Sequence, residues 1–206
     1  MPPKGAAVTL FGPDGRQAEF DNKFKIPIVI DSEHHEIHEG DRYTVFFEND
    51  VTNIGEMTVI AFNVPAGTKR IHMVILASVT SLTQLSLYES PSIDVDEGTQ
   101  KNPVNRDLNS SNESILTSIE TTPVENEVTT LDETQAAGAN ISKATELWHE
   151  DIGQSGNPLA VAGGLSRGQT EFILENGKQY AVILEALDNN DNHCNIILEW
   201  YEHTDE

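Results

Sequence analysis

The sequence predicts an all-β fold: a two-sheet antiparallel sandwich, jelly-roll-like, that carries a long polar insertion. Three observations point to it. Short runs rich in β-branched and aromatic residues recur along the chain, divided by Gly, Pro, Asn and Asp turn chemistry. Several of these runs are apolar on both alternating faces, as strands covered on two sides are. No stretch sustains a 3.6-residue apolar period. Strands in such number need two packed sheets to bury their faces.

The first twenty residues read as a hairpin: Ala7-Val8-Thr9-Leu10-Phe11, the turn Gly12-Pro13-Asp14-Gly15, then Arg16 to Phe20. Residues 1–25 would suit an arm that reaches a neighbouring subunit, and the sandwich is expected over 26–206. Ile26 to Ile30 reads as a strand, with Pro27 marking its start or an edge position because it cannot donate to a ladder. Tyr43–Phe47, Met57–Val64, Arg70–Ser78 and Leu82–Tyr88 are the next strands; in the last, Leu85 and Leu87 share a face.

Residues 92–145 are rich in Ser, Thr, Asn, Asp and Glu and hold no aromatic residue. A structureless loop of that length is uncommon in a compact domain, so this section is a surface excursion held by partners or contains further elements. Within it, Asn112 before Ser114-Ile115-Leu116 reads as the cap of a short helix. Strand character returns at Glu146–Glu150, with Trp148 packed on a sheet, and 153–168 reads as a flexible connection. Glu171–Leu174, the turn Glu175-Asn176-Gly177-Lys178 and Gln179–Leu184 read as a hairpin, since Asn-Gly supplies the positive φ of a primed turn. Asp188–Asn192 is a further turn into a final strand, Cys194–Tyr201.

Asp and Glu total 34 against 12 Lys and Arg, a formal charge of −22. That field repels nucleic acid, whose binding needs Lys and Arg to displace counterions, and disfavours an anionic membrane surface. Cys194 is the only cysteine, so no intrachain disulfide forms, as expected of a protein folded in a reducing cytosol. No signal-length apolar stretch opens the chain, so the sequons at Asn109, Asn112 and Asn140 are not expected to be used.

No phosphate loop, nucleophile elbow, dinucleotide fingerprint or triad arrangement is present, and no catalytic residue or cofactor is expected. The densest set of metal-ligand types is His34, His35 and His38 with Glu33, Glu36 and Glu39. Its order departs from the His-Glu-x-x-His of a zinc protease. A polar turn or edge strand is the plainer reading; a bound divalent ion, or a hydrolase that also uses His203, is the sharper one. Asp94, Asp96 and Glu97, and the run Asp188 to Asn192, offer oxygens of the kind calcium takes but lack EF-hand spacing. Cys194 reads as a buried, inert thiol. Trp148, Trp200 and Tyr201 read as core or subunit-contact residues more readily than as a sugar platform.

Four segments carry a resemblance: Glu33-His34-His35-Glu36-Ile37-His38-Glu39-Gly40, Asn105-Arg106-Asp107-Leu108-Asn109-Ser110, Arg167-Gly168-Gln169-Thr170-Glu171-Phe172-Ile173-Leu174, and Trp200-Tyr201-Glu202-His203-Thr204-Asp205. With them the chain resembles structural proteins of tailed-bacteriophage virions. The resemblance implies a non-enzymatic, head-associated component, a capsid decoration or cement protein that binds the major capsid protein on the outer head surface, as a trimer. Expected contact residues are Phe11 and Arg16 in the arm, Asn105 and Arg106 in the polar section, and Trp200, Tyr201 and His203 at the last strand. The alternative is a tail- or fibre-associated virion protein that binds host glycan.

Overall fold

A computed structural model describes residues 37, 39–90, 92–93, 99–116, 119–124, 135–136, 139–140, 144–155, 162–163 and 171–204. The chain divides into two units, Met1–His35 and Glu36–Glu206, and all described strands belong to the second. The expected hairpin at 7–20, the strand at 26–30 and the boundary at residue 25 lie outside the described residues.

The strands are β1 (Arg42–Val51), β2 (Met57–Asn63), β3 (Lys69–Val79), β4 (Thr83–Glu89), β5 (Ser92–Ile93), β6 (Thr99–Gln100), β7 (Val104–Asn105), β8 (Ile119–Val124), β9 (Gln135–Ala136), β10 (Ala139–Asn140), β11 (Thr145–Ile152), β12 (Ala162–Gly163), β13 (Glu171–Leu174), β14 (Gln179–Ala186) and β15 (Asn192–Thr204). One sheet runs β12-β3-β15-β1-β7, with β13 also on β3; the other runs β11-β4-β14-β2-β8-β6; β5, β10 and β9 make a small separate ladder. Every described pairing between strands is antiparallel.

Eight strands define the topology: β1, β2, β3, β4, β11, β13, β14 and β15. In sequence order, the first sheet holds the first, eighth, third and sixth as neighbours, and the second holds the second, seventh, fourth and fifth. That is the strand order of a jelly roll, so consecutive strands repeatedly cross from sheet to sheet. The crossing follows from alternation. Tyr43 and Val45 of β1, Ile71, Met73 and Ile75 of β3, and Cys194, Ile196, Leu198 and Trp200 of β15 point inward. They meet Ile60 and Phe62 of β2, Leu85 and Leu87 of β4, and Tyr180, Val182 and Leu184 of β14 in one buried core. Each fully buried aliphatic side chain contributes about 2 kcal/mol of hydrophobic transfer.

The polar section departs from a loop. It supplies β7 to the edge of β1, β8 to the edge of β2, and β6 outside β8. It thus pairs the edge strand of each sheet, where unpaired N–H and C=O groups would otherwise template association. The expected short helix is absent: residues 110–116 contain no helical turn. The Asn112 amide instead reaches the Glu39 carbonyl at 3.1 Å, and Ser114 and Ile115 are held by Glu202.

The hairpin expected over 171–184 is also corrected. The turn exists, with Gly177 at φ +79°, but its two strands part: β13 pairs with β3 and β14 with β2 and β4. The turn is fastened to the end of β2, through Gly177 N to Val64 O at 3.0 Å and Val64 N to Lys178 O at 2.8 Å. Both strands put an apolar face on the core, and they do so from opposite sheets.

Candidate functional site

The last strand, β15, organises the polar chemistry of the first sheet. Its outward side chains are His193, Asn195, Ile197, Glu199, Tyr201 and His203, and β3 and β1 flank it. Glu202 points inward and is fully buried. A buried carboxylate must be hydrogen-bonded, and this one accepts from Ser114 Oγ at 2.6 Å, Ile115 N at 3.0 Å and Trp200 Nε1 at 3.1 Å, with Lys69 Nζ 3.9 Å away. The polar section is thereby pinned to the final strand.

Beside it lies a second set of ties. Asn105 Nδ2 donates to Gly40 O at 2.7 Å, Arg106 N donates to Arg42 O at 2.8 Å, and Glu202 N donates to Asp41 O at 3.0 Å. Glu199 accepts from Arg42 at 3.0 Å and from Arg106 at 2.8 Å. Gly40 adopts φ +73°, and a Cβ there would sit 2.3 Å from Ser110 Oγ, so this approach requires glycine.

On the outer face of the same strand, His72 of β3, Glu171 of β13, and Tyr201 and His203 of β15 form one cluster. Tyr201 OH donates to Glu171 Oε1 at 3.1 Å and lies 2.9 Å from His72 Nδ1; His72 Nε2 and His203 Nε2 are 2.8 Å apart. The His72 ring stacks against Tyr201 and tilts against His203, each at 4.6 Å between centroids. The register explains the meeting: Tyr201 pairs with His72, and His72 pairs in turn with Ile173 of β13. Further along this face, Phe46, Ile197 and Leu76 form an apolar row across β1, β15 and β3, with Phe46 60% exposed.

The expected site residues fall as follows. His34, His35, His38, Phe11, Arg16, Asp94, Asp96 and Glu97 lie outside the described residues. Among the described residues no group of three or more His, Cys, Asp or Glu is arranged to hold a metal. Asn105 and Arg106 are tied within the chain, as above. Trp200 is corrected to a core residue: it is 1% exposed, stacks on Tyr43 at 5.8 Å and donates its indole N–H internally, so its side chain is not on a contact surface. Tyr201 and His203 are half-buried in the histidine cluster. Sugar stacking needs an open ring, yet both Trp and all four Tyr are buried or half-buried; Trp148 packs against Phe172 at 6.0 Å.

The oxygens of the 188–192 turn serve the fold. Asp188 accepts from Ser81 Oγ at 2.9 Å and Asn190 N at 3.2 Å, while Asn192 Oδ1 accepts from the Thr80 and Ser81 amides, both at 3.0 Å. Desolvation alone would raise Asp188, but those hydrogen bonds bring it below the ordinary carboxylate value. Cys194 is buried, and desolvation pushes its thiol up to about 12, so the reading of an inert thiol stands. His72, Glu171, Glu199 and Glu202 were not singled out from the sequence. The available signal was a lone polar residue inside an apolar run, such as His72 between Ile71 and Met73.

Comparison of the chain with family models, with curated proteins and with solved structures finds no match.

Proposed function

We propose that this protein is a non-enzymatic virion component of a tailed bacteriophage, a decoration protein that binds the major capsid protein on the outer head surface and cements the shell. One observation carries the reading. The four segments that resemble phage virion proteins are scattered over the sequence, yet residues from each are joined around β15: Gly40 to Asn105, Arg106 to Glu199, Glu171 to Tyr201, and Glu202 within the last segment. Short likenesses that meet in one place support a shared structural unit better than isolated ones would.

The jelly-roll order fits, since viral capsid domains are among its users, though the fold alone hosts many functions. The charge of −22 fits a protein partner and neither nucleic acid nor membrane. A cement protein stabilises the shell by mass action, because it binds the assembled state and not the free subunits. A trimer matches three-fold junctions between capsomers. The tail or fibre alternative, with its glycan role, gains no support from the exposure of Trp148, Trp200 or Tyr201.

The test is co-sedimentation of the purified protein with phage heads that lack it, with heat disruption of the heads followed in parallel. Saturable, stoichiometric binding and a raised disruption temperature are expected. Absence from heads, with recovery in isolated tails or on host glycan, overturns the reading.

A further inference from the structure

The turn between β13 and β14 holds the only Asn-Gly pair in the chain, Asn176-Gly177. Such a pair is open to attack on itself. Glycine has no side chain to shield its amide nitrogen, so that nitrogen can reach the carboxamide of the asparagine before it. In this turn the groups that would react are held. Gly177 N donates to Val64 O at 3.0 Å, so the attacking nitrogen is engaged. Asn176 Nδ2, the group that would leave, donates to Gly67 O at 2.6 Å. Asn176 Oδ1 is buried and takes no hydrogen bond among the described residues, so negative charge developing there during attack meets no donor. The residues on either side are braced as well: Glu175 N donates to the Tyr180 hydroxyl at 2.9 Å, and Val64 N donates to Lys178 O at 2.8 Å.

We propose that Asn176 is a modification site, an asparagine that the folded turn keeps intact and that water converts to a carboxylate once the turn opens. Gly177 N gives its hydrogen to water and bonds to Asn176 Cγ. The Cγ–Nδ2 bond breaks, Nδ2 takes a proton back and leaves as ammonia, and a cyclic imide remains. Water then adds to either imide carbonyl and breaks its bond to nitrogen, which yields aspartate or its β-linked isomer. The sum is amide plus water to acid plus ammonia, with nothing oxidised or reduced. The product does not fit the turn that protected its precursor. A carboxylate has no hydrogen to give Gly67 O, so a 2.6 Å hydrogen bond becomes two facing acceptors, and its other oxygen occupies the buried place that lacks a donor. Conversion therefore unfastens the turn at which β13 and β14 part toward opposite sheets.

The test follows amide loss at residue 176 by peptide mass spectrometry, with the full-length chain held at pH 8 in buffer and in urea. Loss is expected in urea and is expected to be at least about tenfold slower in the folded chain, which reacts only through local opening. Asn176→Asp, which places the product in the turn, is expected to melt at a lower temperature than wild type at the same pH. Equal rates in buffer and in urea, no amide loss at residue 176 in urea, or an Asn176→Asp midpoint equal to wild type overturns the proposal.

Discussion

Glu202 Oε1 accepts a 2.6 Å hydrogen bond from Ser114 Oγ, joining residues 88 positions apart at the floor of the sandwich. The same oxygen takes the Trp200 indole and the Ile115 amide. One carboxylate therefore fixes the core tryptophan and the polar excursion together.

Removing it strands the Ser114 hydroxyl and the Ile115 amide and leaves the Trp200 indole only its 3.3 Å contact with Ser114 Oγ. Glu202→Ala is expected to cost about 3 kcal/mol, because each orphaned group bears its full desolvation penalty. Glu202→Gln keeps an acceptor oxygen and is expected to cost about 1 kcal/mol. Urea denaturation followed by tryptophan fluorescence measures both. Equal stability of Glu202→Ala and wild type would refute the anchoring role.

Gly153 ends β11 at φ +83°, and a Cβ there would lie 2.2 Å from the Ser81 carbonyl oxygen. Backbone cannot retreat as a side-chain tip can. Gly153→Ala is expected to lose about 2 kcal/mol or more. Gly177→Ala, at φ +79° but in open space, is expected to lose less. The ranking of the two thermal midpoints checks this.

Glu185 projects from the outward face of β14, the face that carries Ala181 and Ile183 of a second buried apolar cluster, and desolvation raises its carboxyl above the ordinary value. A carboxyl raised on folding favours the folded state at low pH, and that contribution is lost as pH rises through the folded value. Glu185→Gln is therefore expected to be more stable than wild type at pH 7.5 and to converge with it near pH 4. A variant less stable at neutral pH would contradict this.

Cys194 offers a chemical check on the core. With its thiol pushed up to about 12 by burial, native protein at pH 8 is expected to resist a disulfide-exchange reagent. In urea the single thiol should react fully. Rapid labelling of the folded protein would mean that β15 is not buried between β1 and β3.

Alternation made the central strands legible. Met57–Val64, Arg70–Ser78 and Leu82–Tyr88 were readable because their inward residues are apolar at every second position. β1 runs past its expected end at Phe47 to Val51, since Glu48, Asn49 and Asp50 look like loop but pair with Asn195, Cys194 and His193. Partner choice was not legible. Asn176-Gly177 has hairpin chemistry, yet the jelly-roll order sends its strands to different sheets. The edge strands β6 and β7 are two residues long, too short for any period; the fold places β6 against Thr121 and Glu120 of β8, and β7 through partners such as Gly40. The histidine cluster needs the β3–β15 register, a pairing across 131 positions for His72 and His203, and no local pattern carries it.

The proposed role is that this jelly roll decorates a phage head. Cryo-electron microscopy of heads assembled without the protein, before and after its addition, tests it most directly. New density of sandwich size is expected on the outer surface at capsomer junctions, with a shape that fits the sheets of β1, β3 and β15. Identical reconstructions, or added density on the tail alone, would contradict it.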